Sequence, residues 1–297
     1  MKLKIFAAVV LILTIVAAEQ CLAQTGCVRT LNYVRTYAEL ERLLNAYADL
    51  EQPIKLLRQW RNDTEICDAT LPTDCLQYLS LGFNTSGVYT LRLDVPAAMT
   101  ATFQDPSFIN VQVYCDMETA GGGWTVFQRR VSASVSFERN WHDYKAGFGS
   151  LVGNLWWGND NLALALNDGR RYDLRIDMTD WDDEHRYATY RDFRVADESD
   201  NYRLNLGIYA GDAGNALGGA NGKQFSTADR DNDGYGLNCA SRYRSASWFG
   251  IHCASTYPNG PYSDTRNVST GRGVIWKLWH GLHYSLKRFD MKFRVIN

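Results

Sequence analysis

Hydrophobic and polar residues alternate with a period of two in four stretches of the chain. Tyr89, Leu91, Leu93 and Val95 form the first, and Tyr172, Leu174, Ile176 and Met178 the second. Tyr202, Leu204, Leu206 and Ile208 follow, and Phe289, Met291, Phe293 and Val295 close the chain. Successive side chains of a strand point to opposite faces, so each stretch predicts a half-buried antiparallel strand. Upstream the period changes. Leu40, Leu43, Tyr47, Leu50, Ile54 and Leu57 recur three and four apart within a helical reading of 33–57, which Pro53 kinks or restarts. So short a pattern suits a helix packed on its own domain as well as a coiled coil. Between Gly211 and Thr270 the chain is rich in Gly, Asn, Asp and Ser and loses periodicity. Segments of that kind usually carry function.

Composition narrows the class. The 297 residues are 45% hydrophobic, enough for a large core, so disorder is excluded as the main state. Lys and Arg total 31 against 33 Asp and Glu, and the missing basic excess argues against nucleic acid as a partner. Lys2 and Lys4 precede an apolar run from Ile5 to Ala18, and Cys21-Leu22-Ala23 supplies small residues for cleavage. The run is short for a bilayer span and predicts a secretory signal peptide over 1–23, hence a secreted, extracellular product with no membrane insertion afterwards.

Cleavage there changes the cysteine arithmetic. Seven cysteines become six: Cys27, Cys67, Cys75, Cys115, Cys239 and Cys253. None are spaced as C-x-x-C, so disulfides in an oxidising compartment are the expected use rather than zinc or redox chemistry. Cys27 and Cys67 bracket the helical pattern. Interchain bonds there would compensate for its shortness, which tips residues 24–70 toward a short coiled-coil oligomerisation segment and the molecule toward a homo-oligomer.

Chemistry concentrates in the loop-rich stretch. Asp229-Arg230-Asp231-Asn232-Asp233-Gly234 sets carboxylates on alternate residues of a turn, where they can converge on a hard cation or remain solvated. An EF-hand is excluded, because Ala240 stands where its twelfth-position Glu belongs. Tyr243, Trp248, Phe249 and His252 lie between Cys239 and Cys253, as a small core or a ligand platform. No H-E-x-x-H or G-x-S-x-G occurs, and the five histidines show no ligand spacing. An enzyme is not expected.

Longer motifs carry a family resemblance. Val113-Tyr114-Cys115-Asp116-Met117-Glu118-Thr119, then Gly121-Gly122-Gly123-Trp124-Thr125-Val126-Phe127-Gln128-Arg129-Arg130, is similar to the signature of fibrinogen C-terminal domains. Trp157-Gly158-Asn159-Asp160-Asn161, Phe225-Ser226-Thr227, Asp231 to Cys239 and Gly273 to Lys292 fit the same pattern. The resemblance implies an α+β fibrinogen C-terminal globular domain over 71–297, preceded by a short helical stalk. Its parts would be a disulfide-bonded N-terminal piece, a central twisted antiparallel sheet and a loop-rich calcium- and ligand-binding part. It implies pairings Cys75–Cys115 and Cys239–Cys253. It also implies Ca2+ held by the Asp231 and Asp233 side chains and the Tyr235 and Leu237 carbonyls, with Asp229 a neighbour. By likeness to ficolins and tachylectin-like members, Tyr243, His252 and Cys253 would bind ligand beside a cis His252–Cys253 peptide.

This sequence departs from that pattern. Gap-free counting places Ala254, Thr270 and Leu282 where the acetyl pocket of tachylectin-like members has a His and two Tyr. Asn267-Val268-Ser269 is a glycosylation sequon near the site, with further acceptors at Asn62 and Asn84. An insertion near Pro96 to Pro106 lengthens the Cys75–Cys115 loop. The expected function is a secreted, calcium-dependent pattern-recognition lectin of innate immunity, agglutinating or opsonising through acetylated or other microbial or cell-surface glycans. The competing expectation is a receptor-binding ligand or matrix component of angiopoietin-like or tenascin type. Non-reducing electrophoresis checks the stalk: a disulfide-linked oligomer is expected, and a band at monomer mobility removes the interchain role of Cys27 and Cys67.

Overall fold

The alternating stretches at 172–179 and 288–295 pair along their whole length as the middle of a sheet. The computed structural model describes residues 71–96, 107–250 and 252–296. The expected signal peptide, the expected helical segment with Cys27, Cys67 and Asn62, and most of the expected Pro96–Pro106 insertion lie outside the described residues. Residues 71–73 and 90–92 group with an N-terminal unit, while 74–89 and the chain from 93 onward form a second compact unit, described below.

Fifteen strands are present among the described residues. They are β1 (Gly87–Asp94), β2 (Phe108–Asp116), β3 (Trp124–Arg130), β4 (Phe148–Gly149), β5 (Leu155–Trp156), β6 (Tyr172–Thr179), β7 (His185–Tyr190) and β8 (Arg194–Val195). Then come β9 (Leu204–Asn205), β10 (Tyr209–Gly211), β11 (Phe225–Ser226), β12 (Ser247–Trp248), β13 (Thr256–Tyr257), β14 (Ile275–Trp276) and β15 (Arg288–Val295). The main sheet runs β1-β2-β3-β15-β6-β7-β10, with β5 pairing β3 and β4. The pairs β2–β3, β3–β15, β15–β6, β6–β7, β7–β10, β3–β5 and β4–β5 are all antiparallel. The C-terminal strand therefore sits at its centre. A register shift between Met291 and Lys292 interrupts its pairing with β3. The remaining pairs, β8–β9, β11–β12 and β13–β14, are two-residue ladders in the loop-rich part. This is an α+β architecture with few helices, of the kind the sequence resemblance implies. Disulfides join Cys75 to Cys115 and Cys239 to Cys253.

One stretch read as a strand is mostly not one. Of 202–208 only Leu204–Asn205 pairs as a strand, and Ile208 is 76% exposed. The backbone donors there go to separate partners: Leu204 N–H to the Lys223 carbonyl, Gly207 N–H to that of Arg191. Asn201 and Tyr202 also take left-handed φ angles of 50°. Tyr202 and Leu204 are still fully buried, so the apolar periodicity reported burial rather than a ladder. Conversely, β3 shows no alternation because all seven of its residues are buried, on both faces.

The two faces of the sheet differ in kind. Phe289, Met291 and Phe293 of β15 join Leu174 and Ile176 of β6 in the core, where Phe293 meets the rings of Phe127, Trp157 and Tyr172. Each such side chain contributes about 1.5–3 kcal/mol by leaving water. The intervening positions are charged. Lys292 is 2% exposed, and its Nζ lies 2.6 Å from both Asp116 and Asp177 carboxylates. Asp290, 5% exposed, takes the guanidinium groups of Arg129 and Arg288. Burial would raise the Asp116 pKa. The Lys292 charge, together with hydrogen bonds from Lys292 and Thr119, outweighs it and holds the group well below the usual carboxylate range.

A depressed folded-state pKa gives stability that is complete above the unfolded value near about 3.9 and lost as pH falls toward the folded one. Lys292→Met leaves Asp116 without its ion pair and Asp177 with only Arg175, and should cost about 3–5 kcal/mol at neutral pH. The loss should shrink below pH of about 4, where the stranded carboxyls become neutral. Urea unfolding at pH 7 and pH 3 measures both, and equal losses would contradict the pairing.

Candidate functional site

The acidic turn is built by its own backbone. Thr227 and Arg230 exchange main-chain hydrogen bonds of 2.9 and 3.3 Å, closing a tight loop after β11. Asp229 is exposed, yet its carboxylate accepts from Trp141 N–H at 3.0 Å and Thr227 Oγ1 at 2.7 Å, so it ties the loop to the helix Trp141–Ala146. Asp231 is exposed and accepts from Asp233 N–H at 3.1 Å. Asp233 is 9% exposed, with one oxygen accepting from Tyr235 N–H at 2.8 Å and the other from Cys239 N–H at 2.9 Å. That last bond attaches the loop to the start of the helix Cys239–Tyr243, where the Asn238 side chain also accepts from Ser241 N–H.

This donor set suits a hard cation. Two carboxylates two residues apart, with the Tyr235 and Leu237 carbonyls on an exposed turn, are oxygen ligands of the kind calcium takes. Each Asp233 oxygen accepts one N–H and keeps lone-pair capacity for a cation. Among the described residues no group of three or more His, Cys, Asp or Glu side chains could hold a metal, so main-chain oxygens would have to complete the set.

Beside this turn the Cys239–Cys253 disulfide seeds an apolar cluster. Cys239, Ala240, Phe249, Cys253, Tyr257 and Ile275 are buried in it, and Tyr243, Ala254, Val268 and Leu282 cover it while partly exposed. The rings of Tyr243 and Tyr257 lie 4.4 Å apart, and burial followed by the Tyr243 phenol pushes the Tyr257 hydroxyl upward, so it stays protonated. Gly271 closes the wall. It has φ 69°, and a Cβ there would fall 2.7 Å from two Tyr243 ring carbons. Its N–H donates to the Leu282 carbonyl at 2.7 Å, and Val268 N–H to that of His283 at 3.0 Å, which sews segment 268–271 to 282–283.

His252 is exposed, its ring edge-on to Tyr235 at 6.0 Å, so the acidic turn and the disulfide loop touch. The cis peptide expected before Cys253 is not present: among the described residues no peptide bond is cis. The chain reverses instead through two left-handed residues, His252 at φ 60° and Cys253 at φ 70°. Such conformations cost about 1–3 kcal/mol each and persist where the surroundings enforce them. A bridge between Gly250 and Cys253 and the disulfide itself supply that enforcement.

The structure thus brings Tyr243, Cys253, Ala254 and Leu282 into one cluster, with His252 at its border. Thr270 is exposed, 3.4 Å from the His283 ring. Asn84 and Asn267 are exposed. Sequence reasoning missed Val268 and Gly271, which reach the wall only through the 268–283 pairing. It also missed Gln128 and Arg130, which mount the site on the sheet. Arg130 is 1% exposed and donates to the carbonyls of Pro258 at 2.9 Å and Gly260 at 2.8 Å. Gln128 reaches the Pro258 carbonyl and Asn259. Burial pushes the Arg130 guanidinium down to about 10, which leaves it charged at neutral pH, 3.9 Å over the Phe137 ring.

Comparison with known proteins supports the same assignment. The family model for "Fibrinogen beta and gamma chains, C-terminal globular domain" matches residues 71–296. Techylectin-5A of Tachypleus tridentatus is 40% identical over 76% of this chain and 74% of its own length. Fibrinogen-like protein 1 of Rattus norvegicus is 35% identical over 93% and 89%. Tenascin-R of Gallus gallus is 41% identical over 76% of this chain, which spans only 16% of that much longer protein. Among solved structures, the fibrinogen-like globe domain of human ANGPTL2 matches with TM-score 0.69 and 38% identity, over 75% of this chain and 98% of that one. Lamprey fibrin D-dimer complexed with the peptide Gly-His-Arg-Pro-amide matches with TM-score 0.67 and 31% identity, over 93% and 94%.

Gly271→Ala tests the wall. A methyl group at a positive φ pressed into the Tyr243 ring should cost about 1–3 kcal/mol. It should also displace Tyr243, read as a lowered melting temperature and a changed tyrosine environment in near-ultraviolet circular dichroism. Unchanged values for both would show the ring is not held there.

Proposed function

Because the chain belongs to the fibrinogen-related family, we propose that it is a secreted, calcium-supported lectin that binds acetylated or other microbial surface glycans without chemistry on them. The observation that carries this reading is the disulfide-stapled wall of Tyr243, Ala254, Val268 and Leu282, joined to the acidic turn by the hydrogen bond from Cys239 N–H to Asp233. A relative named as a lectin, Techylectin-5A, supports it.

The partly exposed Tyr243 ring, packed on Tyr257 and with Arg242 over it, would contact a sugar, and Ala254, Val268 and Leu282 would meet an acetyl methyl group. His252 and the Cys253 main chain border that surface and would meet the acetyl oxygen. Asp231, Asp233 and the carbonyls of Tyr235 and Leu237 would hold a calcium ion. Its charge would neutralise the paired carboxylates and stiffen their turn. That order reaches the wall through Asp233, whose second oxygen fixes the first N–H of the helix carrying Tyr243. A wall with a single aromatic face gives weak single-site binding, so avidity from an oligomerising N-terminal segment would supply strength.

A second reading rests on the apolar character of Ala254, Val268 and Leu282. An aliphatic or aromatic side chain of a protein partner fits such a wall as well as an acetyl group does, and the relatives include tenascin-R and fibrinogen-like protein 1.

A glycan array probed with and without calcium separates the two. Acetyl-sugar signals that free N-acetylglucosamine competes away, and that fall at least about tenfold with EDTA or in Asp231→Ala, are expected for the lectin. A blank array would favour the protein-binding reading. Calcium drops out of the mechanism should glycan binding survive both treatments unchanged.

A further inference from the structure

Arginines gather at the rim of the disulfide wall. Arg242 and Arg244 flank Tyr243 in sequence, and Arg272 follows Gly271, whose backbone packs on the Tyr243 ring. All three are exposed. A single carboxylate among the described residues answers them: Glu138 accepts from Arg244 Nε at 2.9 Å. That hydrogen bond, with the charges of Arg244 and Arg272, holds Glu138 below its ordinary pKa. Neither Arg242 nor Arg272 has a carboxylate within ion-pair reach among the described residues. We propose that the wall takes an N-acetylated sugar bearing a carboxylate, with Arg242 as the residue that pairs the acid. This rests on the lectin reading above and narrows its ligand.

Geometry places Arg242 at the wall itself. Its guanidinium lies 5.6 Å from the centre of the Tyr243 ring. Burial first, then the Tyr243 phenol, raise the Tyr257 hydroxyl, while a main-chain hydrogen bond from Ala254 and the Arg242 charge pull it the other way. The two phenols, Ala254 and the guanidinium therefore meet at one end of the paired rings. Ala254 is also one of the side chains that would meet the acetyl methyl group, so the acetyl and acid groups of one sugar have adjacent receptors.

The packing of the Tyr243 ring argues for charge. Tyr257 covers it at 4.4 Å, the Gly271 backbone presses on it and Arg242 lies over it. A neutral pyranose finds little bare ring on which to stack, so polar contacts have to supply selectivity. A guanidinium with unused donors takes a carboxylate through two parallel hydrogen bonds. Three arginines against one Glu138 leave the rim positive. The whole protein carries a net charge of −2 and has no general attraction for anions, so the preference has to be local.

The test uses the full-length, calcium-loaded protein and two probes, N-acetylglucosamine and N-acetylmuramic acid, which differ by one lactyl ether carrying a carboxylate. Titration at low salt should show the acid bound about threefold to fivefold tighter. The preference should vanish at about 1 M salt, where the Debye length is ~3 Å. Arg242→Gln should abolish it while N-acetylglucosamine affinity stays within about twofold, and Arg194→Ala, an exposed arginine on β8, should leave both sugars unchanged. The methyl ester of N-acetylmuramic acid reads the same contact in the wild-type protein, so the proposal stays testable should Arg242→Gln melt early. The ester should bind no tighter than N-acetylglucosamine, and an ester bound as tightly as the acid overturns the pairing. A preference that survives in folded Arg242→Gln, or that Arg194→Ala removes, overturns it too. Equal binding of the two sugars sinks this inference and leaves the lectin reading standing; binding of neither sugar brings down both.

Discussion

Arg130 is a fully buried cation with no carboxylate beside it among the described residues, held by two backbone carbonyls on one of its nitrogens and by the face of Phe137. Burying a charge in this way is costly unless its donors are filled. The carbonyls of Pro258 and Gly260 supply the hydrogen bonds it makes, while its buried Nε has no partner, so losing the loop would strand the guanidinium altogether. Gln128, two residues earlier on the same strand, grips the same loop, and Asn259 passes the connection on to the Ala246 carbonyl. Through this chain the main sheet anchors the irregular, loop-rich part of the domain. A region with so little regular structure has few ladders of its own. Its position is set by side chains of β3 instead.

How legible this was depends on what each residue's periodicity could report. The strands at 172–179 and 288–295 announced themselves because one of their faces is apolar. β3 could not, since both of its faces are covered, and only its family motif marked it. At 202–208 alternation described burial correctly and pairing wrongly, because left-handed turns at Asn201 and Tyr202 break the ladder. The acidic turn and the stapled loop were visible as compositions. Their connection was not: the bond between Asp233 and Cys239 N–H, and the edge contact of Tyr235 with His252, are facts of fold. Val268 lay inside a glycosylation sequon and drew attention for its neighbour Asn267 instead.

The alternation also hid something by success. Assigning Arg175, Asp177, Asp290 and Lys292 to the non-core face made them look like solvent-facing residues. Lys292 is nearly as buried as the phenylalanine that follows it. A strand's second face may be polar without being wet, when opposite charges from neighbouring strands neutralise one another across it. The same sheet then has a greasy underside that supplies stability and an upper side of mutually paired charges, and both are encoded in one eight-residue alternation.

Gly271 limits how the wall around the disulfide can change over evolutionary time. Its backbone lies against the Tyr243 ring at an angle other residues resist, so no side chain can be recruited there to reshape ligand preference. Tyr243 is pinned in turn by that contact and by Tyr257 behind it. Diversification is left to Ala254, Val268 and Leu282, three side chains on three separate segments that share only partial burial. A lineage of such proteins could retune its targets by trading residues at those positions while every backbone feature beneath them stayed fixed, a small variable palette on an invariant frame.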